Sequence, residues 1–104
     1  MKTQAKLDPR SLEARAAQVA ALLRALGNDR RLLILCKLVE SGEATVGSLA
    51  DDVGLSQSAL SQHLGRMRDE GIVAFRREAQ TIWYRIADTR VETLLATLHR
   101  LYCS

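Results

Sequence analysis

Between residues 57 and 66 the chain carries Gln57, Ser58, Ser61, Gln62, His63 and Arg66, side chains whose chemistry suits the edges of DNA bases and the phosphates beside them. A glutamine amide can pair with adenine through two hydrogen bonds. A serine hydroxyl contacts several bases, and an arginine fork reads guanine or grips phosphate. In a helix, spacings of three and four residues put Gln57, Ser58, Ser61 and Gln62 on one outward stripe and leave Leu60, Leu64 and Met67 as a dry face behind. Farther on, Arg76, Arg77 and Gln80 could reach a neighbouring groove or the backbone. Ser61 and His63 are two apart on the same helix, so they do not face each other as nucleophile and base.

The second chemistry is sulfur. The chain has two cysteines, Cys36 and Cys103. A thiolate can attack an oxidised sulfur and a second thiol can resolve the product. Sequence separation does not give spatial distance, and disulfide geometry is demanding. Read from the residues alone, the pair is two independent thiols in a reducing compartment, one of them buried as a small hydrophobe. His99 reads as a solvated side chain rather than a ligand.

These groups need elements to hold them. In residues 11–26, Leu12, Ala16, Val19, Leu23 and Leu26 step by four and three, a helical seam fit to pack on a core or on a twin copy, and Gly27 stops it. Asn28 or Asp29 caps a helix running to about Ser41, apolar nearly all round and therefore central, with Ser41 and Gly42 at its end. Thr45 caps a short helix to about Val53, Gly54 and Leu55 turn tightly, and Ser56 caps the helix that ends at Gly71. Residues 72–77 and 82–86 are rich in β-branched and aromatic side chains and read as a two-stranded hairpin around the polar 78–81. Asp88 caps a last helix to about Tyr102, with Val91, Leu94, Leu95, Leu98, Leu101 and Tyr102 apolar. The reading is mainly α with a β-hairpin, in the order α-α-α-α-β-β-α, and helix, glycine turn and polar helix make a helix-turn-helix with the hairpin as its wing.

This order and three stretches resemble the winged helix-turn-helix repressors of the ArsR/SmtB type: LGNDRRLLIL at 26–35, SQSALSQHL at 56–64 and MRDEGIV at 67–73. The resemblance spans nearly the whole chain. It implies a homodimer paired through the first and last helices, with double-stranded operator DNA as partner and repression until an inducer lowers affinity. Many members hold metals through a Cys-x-Cys pair in the third helix or through ligands on the last. Here Thr45 and Gly47 stand at those cysteine places, Arg90 replaces a histidine, and Leu101 and Ser104 occupy the later ligand places. The resemblance therefore implies no metal at either site. One branch of the family senses reactive sulfur species through a cysteine in the second helix and another at the end of the last, and Cys36 and Cys103 match both positions. That match implies a redox-sensing dithiol, with persulfide or an oxidant as inducer. A metal inducer at a nonstandard site, a constitutive regulator and a derepressor of virulence-type genes are the alternatives.

Composition limits the remaining classes. At 104 residues, 47% hydrophobic and 26% charged, the chain reads as one domain over residues 1–104. No enzyme is expected, because paired carboxylates, a nucleophile with its base and a phosphate-binding glycine loop are all missing, and no cofactor is implied. The net charge of +3 permits a polyanionic partner. Glu43, Asp51 and Asp52 form a stretch free of cations, whereas Arg66, Arg68, Arg76, Arg77, Arg85 and Arg90 follow it. One face is thus steered toward phosphate and another turned away. No apolar run approaches the roughly 20 residues of a membrane span, and residues 1–6 have no signal segment, so the expected site of action is the cytoplasm, away from membranes. A protein-interaction module that has kept such a fold without reading DNA is the competing class.

Overall fold

A computed structural model describes residues 9–103; residues 1–6, read above for a leader, and Ser104 lie outside the described residues. The elements run α1 (Pro9–Leu26), α2 (Asp29–Ser41), β1 (Ala44–Thr45), α3 (Val46–Val53), α4 (Gln57–Asp69), β2 (Val73–Glu78), β3 (Thr81–Ile86) and α5 (Thr89–Cys103). Each start has its chemical reason. Proline suits a first helical position because the N–H it lacks has no intrahelical partner there, which lets α1 begin at Pro9, ahead of the expected residue 11. Asn28 caps α2 by accepting from the Arg31 N–H, Thr45 caps α3 by accepting from Ser48, and Ser56 caps α4 by accepting from Ala59. Asp88 opens α5 by accepting the Arg90 N–H at 2.9 Å. Gly42 and Gly54, at φ 81° and 69°, end α2 and α3 in backbone conformations that a side chain would strain.

Two expectations change. The sheet has three strands in the order β1-β3-β2, all antiparallel, so a short strand precedes α3 in the element order. Ala44 and Thr45 are too few to show alternation in sequence, yet they cover the edge that β3 would otherwise leave unpaired. Second, α2 is central without being buried all round. Ile34, Leu35 and Leu38 are sealed, while Leu33 is 47% exposed and Cys36 faces outward.

The core joins Leu49, Ala50 and Val53 of α3, Leu60, Leu64 and Met67 of α4, the α2 trio, Ile72 and Val73, Tyr84, and Val91 and Leu95 of α5. The helix-turn-helix is therefore fixed from behind by the same cluster that seats the sheet. Truncating a fully buried member such as Leu60 to alanine costs about 2–5 kcal/mol and would release the helix it anchors. By contrast α1 lies mostly off this body. Every side chain from Arg10 to Val19 is exposed, and among the described side chains of α1 Ala25 and Leu26 are the two that are buried. Of its seam, Leu12, Val19 and Leu23 are 55%, 38% and 54% exposed, so only Leu26 packs on the chain's own core. No helix among the described residues is long and apolar enough to cross a membrane.

Candidate DNA-reading face and cysteine groove

The two members of the helix-turn-helix meet across Gly54 and Leu55, whose N–H groups both donate to the Ala50 carbonyl. With Leu60, Leu64 and Met67 sealed inward, Gln57, Ser58, Ser61, Gln62 and Arg66 all stand exposed on the far side of α4. These five sequence-expected residues are each open to solvent around the part of α4 that the core leaves uncovered. Gln57 leans back over α3, where a Cβ added to Gly47 would lie 3.8 Å from Nε2. His63 differs from the others: one turn before Met67, it lies at the margin of the dry face and is half-buried. That desolvation, with the nearby charges of Arg31 and Arg66, lowers its pKa below the ordinary 6.5 and favours a neutral imidazole.

The three wing residues separate. Arg76 donates from Nε and Nη2 to the Glu43 carboxylate at 2.8 and 2.9 Å, and its guanidinium lies 5.7 Å from the centre of the Trp83 ring. These hydrogen bonds, and then the paired charges, hold the Glu43 carboxyl below its usual range and push Arg76 up. Arg77 stands opposite Ile82 on the other face of the ribbon, and Gln80 sits in the turn beside Ala79, whose φ is 56°. Arg77 and Gln80 are exposed at the tip. On the same face as Arg77, Phe75 carries the Arg68 guanidinium 5.4 Å from its ring centre, which ties the end of α4 to the wing. The sequence reading missed Glu43. Its position in a cation-free stretch was visible, but the arginine it meets lies 33 residues away.

Cys36 lines an open groove of about 470 Å³ between α2 and α5, walled by Leu33, Val39, Leu95 and Ala96 with Lys37, Glu40 and His99 at its polar edge. Neither thiol is buried, so the expectation of one cysteine packed as a small hydrophobe is corrected. Leu35 and Leu38 take the inward positions of α2 and turn Cys36 to the surface. Burial in the groove wall, then the neighbouring Cys103, then the Glu40 carboxylate four residues along push the Cys36 thiol above its ordinary 9.0. α2 and α5 share the walls of this groove, and Cys103 lies at the end of α5. His99, one turn before Cys103 on α5, is exposed at the groove edge. Thr45 and Gly47, at the family's thiolate places, are respectively a helix cap and the rest for Gln57.

Comparison with known proteins agrees with this architecture. Residues 28–74 match the family described as bacterial regulatory protein, arsR family. The chain is 46% identical over 99 residues to the transcriptional activator HlyU of Vibrio cholerae, covering 95% of this chain and 91% of that one. It is 50% identical over 92 residues to the HTH-type transcriptional regulator YgaV of Escherichia coli, covering 88% and 93%. Among solved structures, the transcriptional repressor BigR of Xylella fastidiosa superposes with a TM-score of 0.86 at 38% identity, covering 94% of this chain and 99% of that one. Reduced HlyU of Vibrio cholerae superposes at 0.84 with 46% identity, covering 91% and 99%. Relatives and fold together place the chain in the arsR family of bacterial regulatory proteins, as a winged-helix, DNA-binding transcriptional regulator and not an enzyme.

Proposed function

We propose that the protein is a homodimeric repressor that holds operator DNA while Cys36 and Cys103 are reduced and releases it when reactive sulfur species or an oxidant bridge them. The observation that carries this reading is the placement of Cys36: an accessible thiol in the wall of a groove, with the α5 terminus and Cys103 near enough to shift its titration.

The chemistry closes without a further reagent. The Cys36 thiolate attacks the terminal sulfur of an organic persulfide, R–S–SH. The S–S bond breaks, R–S⁻ leaves and takes a proton, and Cys36 carries –S–SH. The Cys103 thiolate then attacks Cys36 Sγ and expels HS⁻, forming the protein disulfide. Two protein thiols lose two electrons, and the persulfide ends as a thiol and hydrogen sulfide. The groove beside Cys36 is large enough for a small organic R group.

Release follows from what the bridge joins. α2 carries the helix-turn-helix on its buried side, and α5 with the exposed α1 supplies the surface for the second copy. Half-sites lie about 34 Å apart, so tilting α2 against α5 would disturb both DNA-reading helices at once. A coupling of about 1–3 kcal/mol is enough for ordinary regulation. Gln57, Ser58, Ser61, Gln62, His63 and Arg66 read the major groove, and Arg77 and Gln80 approach the flanking backbone. Arg76 would join them only by leaving Glu43. Acting on DNA, the protein works in the cytoplasm.

The test pairs fluorescence anisotropy with intact mass, using a duplex that the reduced chain selects from a random-sequence pool. Persulfide should abolish binding while the protein loses the mass of two hydrogen atoms. Cys36→Ser and Cys103→Ser should each bind DNA normally and no longer respond; a variant that still releases DNA on treatment refutes the sensor. HlyU is described as an activator, which favours a second reading of the promoter effect: binding that displaces another repressor. A reporter behind the selected site, silenced or induced by the chain, separates the two.

A further inference from the structure

Two consecutive arginines open α2, and each reaches the carboxyl end of another helix. Arg30 Nη1 donates to the Val53 carbonyl, the last residue of α3, at 2.9 Å. Arg31 Nη1 donates to the Ala25 carbonyl in the last turn of α1, also at 2.9 Å, and stands 3.5 Å from Glu70 Oε1 at the C-cap of α4. Helix carboxyl ends carry unsatisfied carbonyls and partial negative charge, which a cation complements. Arginine suits the task because its rigid fork stays charged and offers several donors at once.

The two contacts of Arg31 are unequal. Glu70 is 46% exposed, so the ion pair at that distance is weak in water. The Arg31 side chain is only 12% exposed, and its bond to Ala25 forms where solvent competes poorly. That bond matters because the packing of α1 is confined to its end: from Arg10 to Val19 its side chains are all exposed, and Leu22, Ala25 and Leu26 in its last two turns pack on the core.

We infer that Arg31 is a positioning residue for DNA reading, holding the carboxyl end of α1 and the end of α4 at a fixed relation through Ala25 and Glu70. This rests on the reading of α1 as the helix that pairs two copies. In such a dimer the angle between α1 and α4 sets the separation of the two DNA-reading helices, and a guanidinium at their junction fixes that angle. Both contacts leave the one nitrogen Nη1, and a lysine keeps the charge but carries it on a shorter stem without the guanidinium plane that aims it.

The test uses the full reduced chain and the selected duplex, with Arg31→Gln, Arg31→Lys, Glu70→Gln and the Arg31→Gln/Glu70→Gln pair. Affinity is measured across salt concentration, stability by urea, and association state by sedimentation. Arg31→Gln is expected to bind about tenfold more weakly, Arg31→Lys to recover part of the loss, and Glu70→Gln to lose two- to fivefold. The double variant should be no worse than Arg31→Gln within twofold, since both changes cut one tie. The slope of log affinity against log salt should stay at the wild-type value, because no phosphate contact is lost. A slope lowered by about one makes Arg31 a phosphate contact and overturns the inference. Wild-type affinity in a folded Arg31→Gln also overturns it, as does weakened binding that tracks only the unfolded fraction. Should Arg31→Gln fail to fold, Arg31→Lys and Glu70→Gln decide by the same criteria. A wild-type chain that sediments as a monomer overturns the dimer reading and this inference with it, whereas a dimer with an unaffected Arg31→Gln overturns this one alone.

Discussion

Arg76 on β2 is held by Glu43, in the connection between α2 and β1, through two hydrogen bonds of 2.8 and 2.9 Å. The pair ties the wing to the end of α2 and takes up the fork that a DNA phosphate would otherwise engage. Glu43→Gln should therefore free Arg76 for the duplex, raising affinity severalfold at low salt and steepening the salt slope by about one. Arg76→Ala should leave the wild-type slope unchanged. Anisotropy titrations across salt measure both, and a Glu43→Gln protein with wild-type slope would show that Arg76 never reaches DNA. Because Glu43 titrates below its ordinary 4.5 in the fold, the stabilisation from this pair is present above that value and is lost as pH falls through the lower folded one. At neutral pH it is intact.

The Cys36 thiol is held above its ordinary 9.0, first by burial in the groove wall, then by Cys103 and Glu40. Its alkylation by iodoacetamide, followed by mass spectrometry, should still be accelerating past pH 9, since the thiolate is the nucleophile. Cys103→Ser and Glu40→Gln should each shift the profile to lower pH by removing a negative neighbour. A rate that levels off below pH 8 would contradict the structure.

Much of this was legible in the residues, and what was hidden has a common cause. Asn28, Thr45, Ser56 and Asp88 act on backbone N–H groups two or three residues away, so local chemistry alone located four helix starts. The outward face of α4 followed from spacing, because Leu60, Leu64 and Met67 had to turn inward. Residues that act across the chain were not visible in that way. Glu43 meets Arg76 33 residues later, and Arg31 meets Glu70 39 residues later, pairings that no local pattern encodes. The exposure of Cys36 escaped notice for a related reason. An α2 sequence of Leu32, Leu33, Ile34, Leu35 and Cys36 looks uniformly apolar, and only the packing of α5 shows which stripe is left at the surface.

His63 should make DNA binding depend on pH. Desolvation first, then the charges of Arg31 on α2, itself paired with Glu70, and of Arg66 on its own helix, favour the neutral ring in the free protein. Its folded pKa lies below the unfolded 6.5, so the stability it contributes is present above that pH and declines as pH falls through the folded value. A DNA phosphate nearby reverses the balance by stabilising the imidazolium. Affinity should therefore rise as pH is lowered from the ring's pKa in the complex toward its lower value in the free protein, by at most about tenfold per unit for one proton, and His63→Gln should flatten the curve. An unchanged pH profile in His63→Gln would place the ring away from the phosphates.

The exposed seam of α1 gives the sharpest test of association. Leu12 and Leu23 are each more than half exposed in the single chain, and Leu101 and Tyr102 at the end of α5 are 69% and 82% exposed. Removing each such leucine from water is worth roughly 1–2 kcal/mol, allowing for the part already covered. A second copy laid against α1 and α5 buries them together, which makes the thermal midpoint rise with protein concentration. Replacing Leu12 and Leu23 with lysine puts like charges at the contact without touching the core. The variant should sediment as a monomer at micromolar concentration and keep its helical circular dichroism. It should bind a two-half-site duplex at least a hundredfold more weakly, since each half-site must then be bound alone. Its affinity for a single half-site should match the wild type within a few fold. Wild-type sedimentation of the double variant would move the contact elsewhere on the surface. A monomer that keeps full affinity for the two-half-site duplex would remove the need for a dimer and with it the proposed coupling between α5 and the DNA-reading helices.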